Sequence, residues 1–220
     1  MGRINTVLFD FDGTVMNTND LILNSWQHTF KTITGAEGDP EAIKKTFGEV
    51  LAYTMSKFFP DYPTDEAIDI YRSYQKGRFS DEIYAFDGMI ELMKELKEKG
   101  YKVAVVTSRL KRSTLDGLQK YGVDTMLDAI VTADECKAHK PDPEPALMAM
   151  RMMDSKPEET IMVGDSKFDI GCANNAGVVS VLVDWAVAIY DKEQEGTFKP
   201  DYTMDKAERL WDIIIDVEKK

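Results

Sequence analysis

Cysteine and histidine are scarce in this chain of 220 residues, and its 27 basic residues are outnumbered by 39 acidic ones. Two cysteines, Cys136 and Cys172, stand without CxxC or zinc-like spacing, so a disulfide framework and a thiolate metal site are not indicated. Cys172 lies among Gly171, Ala173 and Ala176 and reads as a small packed residue. Histidine occurs only at His28 and His139, which argues against a His-based zinc site and against a Ser-His-Asp triad. The formal net charge is -12, so neither nucleic acid nor an anionic membrane finds a basic footprint. There is no Walker A loop and no GxGxxG, which leaves a nucleotide-binding reading without support. The start MGRINTVLFD lacks the apolar core of a signal peptide and no segment approaches a membrane span, so the expected location is cytoplasmic. An acidic protein that handles an anionic substrate needs a local positive device, either a metal ion or a few placed basic side chains.

What is present begins with Val7-Leu8-Phe9-Asp10-Phe11-Asp12-Gly13. Residues 4–9 form an apolar, β-branched run too short for a helix, as in a buried strand. Asp10 and Asp12 follow one residue apart, and strand periodicity points both toward a crevice at the strand's carboxyl end. Gly13 permits a sharp turn beyond them. The plainer alternative is a loop in which each Asp caps a nearby amide.

About 65 residues of helical pattern come next. One helix is expected from Asn17 to Thr32, with its caps among Asn17 to Asp20. Pro40 suits the first turn of a second, and a third carries Val50, Leu51, Tyr53, Met55, Phe58 and Phe59. The next runs from Thr64, as cap, to Phe79. Trp26, Tyr53, Phe58 and Phe59 at helical spacing read as the core of this unit rather than a ligand cage, and Lys44, Lys45 and Lys57 as solvated charges.

From Ala85 helix and strand alternate. Helices over Asp87 to Lys99, Leu110 to Tyr121 and Pro143 to Met153 separate strands at Lys102 to Val106, Ala129 to Thr132 and Thr160 to Val163. A further helix ends near Asn175, Val178 to Val183 is a fifth strand, residues 191–200 are the most polar loop, and Leu210 to Val217 closes the chain as a helix. This grammar predicts an α/β fold, a doubly wound parallel sheet with an inserted helical unit. The expected division is a core of residues 1–15 and 81–220 with an inserted unit of residues 16–80.

The strand ends carry the chemistry. Asp10 and Asp12, Thr107 and Ser108, and Asp165 with Asp169 one helical turn on all fall where an open parallel sheet binds its ligand. Asp10, Asp165 and Asp169 offer hard oxygen ligands, which favours Mg2+ over a soft metal. Lys140, between His139 and Pro141, adds one positive charge, although a lysine taken alone is usually just solvated. Thr107 has a similar plain alternative, in which its hydroxyl only satisfies backbone.

DFDGTV, VVTSR, KPDPEPA and GDSKFD, in this order and each after its proper element, resemble the four motifs of the haloacid dehalogenase superfamily. The resemblance spans the chain. The helical insert resembles that superfamily's C1 cap, the overall pattern its phosphoglycolate phosphatase branch, and LFDFDGTVMNTNDLILNSWQHTF with AHKPDPEPA a bacterial pyrophosphatase subgroup of that branch. The resemblance implies that Asp10 is a nucleophile forming an aspartyl-phosphate and that Asp12 is the general acid and base. It implies that Thr107 and the Ser108 amide bind phosphate and that Lys140 neutralises charge. Mg2+ would be held by Asp10, Asp165 and the carbonyl of Asp12, with Asp169 behind them. Arg109 stands where lysine is frequent and Ser108 where asparagine is, at positions that hold phosphate or leaving group. Gly48 in Phe47-Gly48-Glu49 resembles the substrate-specificity loop of such caps.

The expected function is therefore Mg2+-dependent hydrolysis of small phosphomonoesters or pyrophosphate. The alternatives are a β-phosphoglucomutase-like phosphotransferase and a non-catalytic phosphate-binding module. The implied subgroup also acts on a phosphorylated carrier protein, but an acidic chain without a basic docking patch favours small substrates.

Overall fold

The computed structural model describes residues 3–188 and 198–220. Most of the expected polar loop at 191–200 therefore lies outside the described residues. The chain opens with β1 (Thr6–Phe9), buried along its whole length. A two-residue strand β2 (Met16–Asn17) leads into α1 (Asn19–Thr34), α2 (Pro40–Lys44), α3 (Leu51–Phe58), α4 (Thr64–Gln75) and α5 (Phe79–Glu82). β3 (Tyr84–Ala85) returns antiparallel on β2, pairing Met16 with Ala85 and Asn17 with Tyr84. The alternating part follows as α6 (Met89–Glu98), β4 (Lys102–Val106), α7 (Lys111–Lys120), β5 (Ala129–Val131), α8 (Glu144–Met152), β6 (Thr160–Gly164), α9 (Lys167–Ala176), β7 (Val179–Val183), β8 (Tyr202–Met204) and α10 (Arg209–Glu218).

The main sheet has the order β5-β4-β1-β6-β7-β8, and every neighbouring pair is parallel. This is the doubly wound α/β sheet expected from the strand-helix alternation. Its strands bury both faces, and alternation sorts the side chains. Val7, Phe9, Val103, Val105, Ile161 and Val163 face the layer that holds α6 and α10. Leu8, Ala104, Val106 and Met162 face α8 and α9. β1 lies between β4 and β6, the two strands from which the chain builds outward in opposite directions. Its carboxyl end is thus the switch point at which such sheets leave a crevice.

The helices between β2 and β3 have a separate core of Trp26, Ile43, Phe47, Met55, Phe59, Ala67, Ile68 and Tyr71. Trp26 meets Phe58 and Tyr71 edge-on at centroid distances of 5.4 and 5.3 Å. Replacing so buried an indole with alanine typically costs about 3–5 kcal/mol. Tyr53 departs from the expectation: the residue is 59% exposed, with the Lys57 ammonium 5.0 Å from its ring centroid. It shares the helical period of α3 but sits on the side that faces water.

Helix ends are instructive in two places. At the start of α1 Asn17 Oδ1 accepts the Asn19 amide at 3.3 Å, within the expected capping stretch, whereas the Thr18 hydroxyl makes no cap and is donated to Asp12. The helix expected from Thr64 to Phe79 stops at Gln75, Gly77 turns the chain at positive φ, and Phe79 starts α5. Asp39 caps α2 as its position before Pro40 suggests, accepting from the Glu41 amide. β8 was not anticipated from the sequence. Among the described residues no helix is long and apolar enough to cross a membrane.

Candidate active site

The crevice is built from the ends of the three central strands. The Asp10 amide donates to the Val163 carbonyl at 2.9 Å, which ties the end of β1 to β6. Phe11 continues the apolar face of Val7 and Phe9, so Asp10 and Asp12 emerge on the other side. The chain then turns at Gly13, whose φ is +77° and whose amide donates to the Met16 carbonyl. A Cβ there would lie 2.2 Å from an Asp165 carboxylate oxygen, so glycine is demanded by conformation and by proximity together.

β6 delivers Asp165 and Ser166. Ser166 caps α9 reciprocally: its hydroxyl and amide both reach Asp169 Oδ2, and the Asp169 amide returns to Ser166 Oγ. This holds Asp169 Oδ1 toward Lys140, which donates to it and to Asp10 Oδ1 at 2.7 Å. The third donor of Lys140 goes to the Val106 carbonyl at 3.1 Å. The ammonium is buried with all three protons spent.

Asp10, Asp165 and Asp169 each place one carboxylate oxygen within 4.8 Å of the other two, and all three residues are buried. One lysine against three carboxylates leaves two negative charges in excess. Burial is the main cause that pushes Asp10 up to about 7, with Asp169 adding to it and Lys140 opposing. Burial, then Asp169 and Asp10, raises Asp165 well above the ordinary carboxylate range. For Lys140, burial pulls downward, but Asp10 and Asp169 outweigh it and hold the ammonium charged. Asp10 Oδ2 and both Asp165 oxygens accept no hydrogen bond from the described residues. Hard, uncompensated oxygens converging on one point are a donor set that fits a small divalent cation.

Asp12 lies beside this cluster rather than in it. Its Oδ1 accepts from Thr18 Oγ1 at 2.7 Å and from Arg109 Nη2 at 2.9 Å, and Arg109 Nε reaches both oxygens at 3.1 and 2.9 Å. Arg109 is clamped between rings, 4.8 Å from the centroid of Phe79 and 5.9 Å from that of Phe11. Burial works against its charge, and Asp12 more than restores it. Thr107, at the end of β4, accepts the Arg109 amide at 3.1 Å and keeps its own hydroxyl proton available. Ser108 donates its hydroxyl to the Gly48 carbonyl at 2.9 Å, which brings the α2–α3 loop onto the sheet. Gly48 has φ +87°, and a Cβ there would stand 2.5 Å from Ser166 Oγ.

The profile of the haloacid dehalogenase-like hydrolases matches residues 7–183, from β1 to the end of β7. The chain belongs to that hydrolase family. A pyrophosphatase PpaX from Halalkalibacterium halodurans is 38% identical over 213 residues, covering 96% of this chain and 97% of the relative. Two solved structures share the fold. One, from Bacteroides fragilis and assigned to the same hydrolase group, gives a TM-score of 0.85 at 22% identity over 94% of this chain and 100% of its own. The other, a predicted phosphatase from Clostridium acetobutylicum, gives 0.82 at 25% identity over 98% and 100%.

In this haloacid dehalogenase-like hydrolase the structure gathers Asp10, Lys140, Asp165 and Asp169 at one point, with Thr107 at the neighbouring strand end. Asp12 and Arg109 form a second group, and Gly48 with Ser108 a third at the rim. Sequence reasoning did not single out Thr18 or Ser166. Ser166 carries a readable signal in the Ser-x-x-Asp spacing of a capping box. Thr18 carries none, because its partner is fixed by the turn at Gly13.

Proposed function

We propose that this hydrolase is a Mg2+-dependent phosphatase acting on small phosphate esters or pyrophosphate through an aspartyl-phosphate. The observation that carries the reading is Asp10, with one oxygen fixed by Lys140 and the other without a donor, inside a cluster with excess negative charge. Mg2+ would be held by Asp10, Asp165 and the Asp12 carbonyl, and when bound it supplies charge neutralisation to the phosphoryl group. Asp169 serves from behind, since Ser166 and Lys140 already occupy its oxygens.

Asp10 Oδ2 attacks phosphorus, and the bond from phosphorus to the leaving oxygen breaks. Asp12 gives its proton to that oxygen, then removes one from the water that cleaves the aspartyl-phosphate. Oδ1 of Asp12 is crowded by three donors, whereas Oδ2 accepts only from Arg109 Nε, so Oδ2 is the atom with room to carry this proton. The Thr107 hydroxyl and the Ser108 amide bind phosphate oxygens. Ser108 cannot use its hydroxyl in this arrangement, because Gly48 has taken it. Residues 16–80 act as a cap over the core of 1–15 and 81–220, with Gly48 as its contact to the mouth of the site. Closure excludes water while the intermediate forms.

Phosphate release from pyrophosphate, phosphoglycolate and a phosphoserine protein, with Mg2+, Ca2+ or EDTA, tests the reading. Release from the small substrates with Mg2+ and poor release with Ca2+ is expected, since the larger ion draws more carboxylate oxygens into its shell. Full activity in EDTA, or a tenfold preference for the protein, would overturn it.

A further inference from the structure

Arg109 offers a donor edge that the hydrolytic chemistry above does not use. Its Nε and Nη2 hold Asp12, while Nη1 has no hydrogen-bond partner among the described residues. The side chain is 9% exposed, so that edge is not simply bathed in water. Its plane is fixed by Phe79 on one side and by the two-pronged pair with Asp12 on the other. Lys140 cannot play the same part, having spent all three of its protons.

We infer that Arg109 is a specificity-determining residue whose free Nη1 edge takes an anionic group on the leaving-group side of the substrate. This deepens the phosphatase reading and rests on it. If Asp12 protonates the leaving oxygen, it lies within hydrogen-bond reach of that oxygen. A guanidinium bonded to Asp12 then stands one group farther out on the same side, away from the phosphoryl group held by Thr107. The chemical class favoured is a phosphate whose leaving group bears a carboxylate or second phosphoryl group one or two bonds from the scissile oxygen. A planar fork suits either oxyanion, and a neutral alcohol leaves its donors unpaired.

The test is a matched pair of substrates, phosphoglycolate and 2-hydroxyethyl phosphate, which differ by a carboxylate in place of a hydroxymethyl group. The expected result is a kcat/KM ratio of about tenfold or more in favour of phosphoglycolate for the native enzyme, on the order of 1.4 kcal/mol. Arg109→Gln should bring the ratio within about twofold, and Arg109→Lys should keep part of it. The ratio does not depend on how much of a variant folds, so a purely structural role would lower both rates and leave it unmoved. An unchanged ratio in Arg109→Gln, or no preference in the native enzyme, would overturn the inference while leaving the phosphatase reading intact. Failure of the native enzyme to release phosphate from either ester and from pyrophosphate would overturn both.

Discussion

Raising the pH of the metal-free protein from about 5 to about 8 should weaken its fold, with the slope coming from Asp10 and Asp165. Asp10 has a carboxyl whose ordinary value of 3.8 is pushed up to about 7 by burial and by Asp169. Between those values the folded chain holds a proton that the unfolded chain has already lost. The unfolded state binds fewer protons there, so stability falls as pH rises through this window. Each pH unit inside it removes about 1.4 kcal/mol for one such group. The whole interval costs on the order of 4 kcal/mol, of which the part above about pH 5 is roughly half or more. That is a large share of the 5–15 kcal/mol by which a typical domain is stable. Asp165 shifts in the same direction and steepens the loss. Mg2+ should reverse it above about pH 7, because metal binding needs the carboxylates deprotonated. The assay is urea denaturation in EDTA and in Mg2+ across this range, with Asp165→Asn beside the native chain. The variant should show a flatter pH dependence and a smaller gain from Mg2+. A flat or rising stability in EDTA, or an Asp165→Asn curve parallel to the native one, would refute the reasoning.

Three further outcomes are expected. Asp10→Asn should lower turnover by about four orders of magnitude, measured as phosphate release, as removal of a nucleophile does in other hydrolases. Asp12→Asn should be severe with an alkyl phosphate but milder with p-nitrophenyl phosphate, whose leaving group needs little protonation; equal losses with both would remove the acid role. Gly48→Ala combines a left-handed backbone with a Cβ 2.5 Å from Ser166 Oγ, an atom that cannot retreat without leaving Asp169. It should lower the melting temperature by several degrees, from the roughly 1–3 kcal/mol of a strained position, and cost about tenfold in kcat/KM by shifting Ser166 and Asp169.

Much of the fold was legible because the five strands read from the sequence are apolar, β-branched and separated by whole helices. β8 escaped because only Met204 of its three residues is buried, so neither an apolar run nor a regular alternation marks it. The ribbon of β2 and β3 is two residues on each side, shorter than any periodicity can reveal. At the site, residues that act through a strand end or a helix turn were visible by spacing, as with Asp165 and Asp169. The bond from Arg109 to Asp12 joins residues 97 positions apart. It depends on the register of β1 beside β4 and on where Phe79 stands, neither of which a local pattern encodes. Arg109 was expected on the substrate; its bond to Asp12 is an addition that no local pattern announces. Tyr53 shows a misreading of another kind, a helical period that marks a face without saying whether another element covers it.

That short ribbon has an architectural consequence. The helical unit departs at Met16–Asn17 and returns at Tyr84–Ala85, and the two passages lie side by side as one antiparallel ladder. Both seams therefore open through a single doorway, next to the turn that carries Asp12. Those two rungs lie outside the main sheet, so chain rejoined there would enter and leave without belonging to any of its six strands. Such a graft would carry Gly48, Thr18 and Phe79 away with the insert, removing one donor to Asp12 and one wall of Arg109, while Asp10, Lys140 and Asp165 keep their contacts. The helical insert and the buried carboxylate cluster thus meet at one two-residue seam, with Arg109 on the side of the sheet.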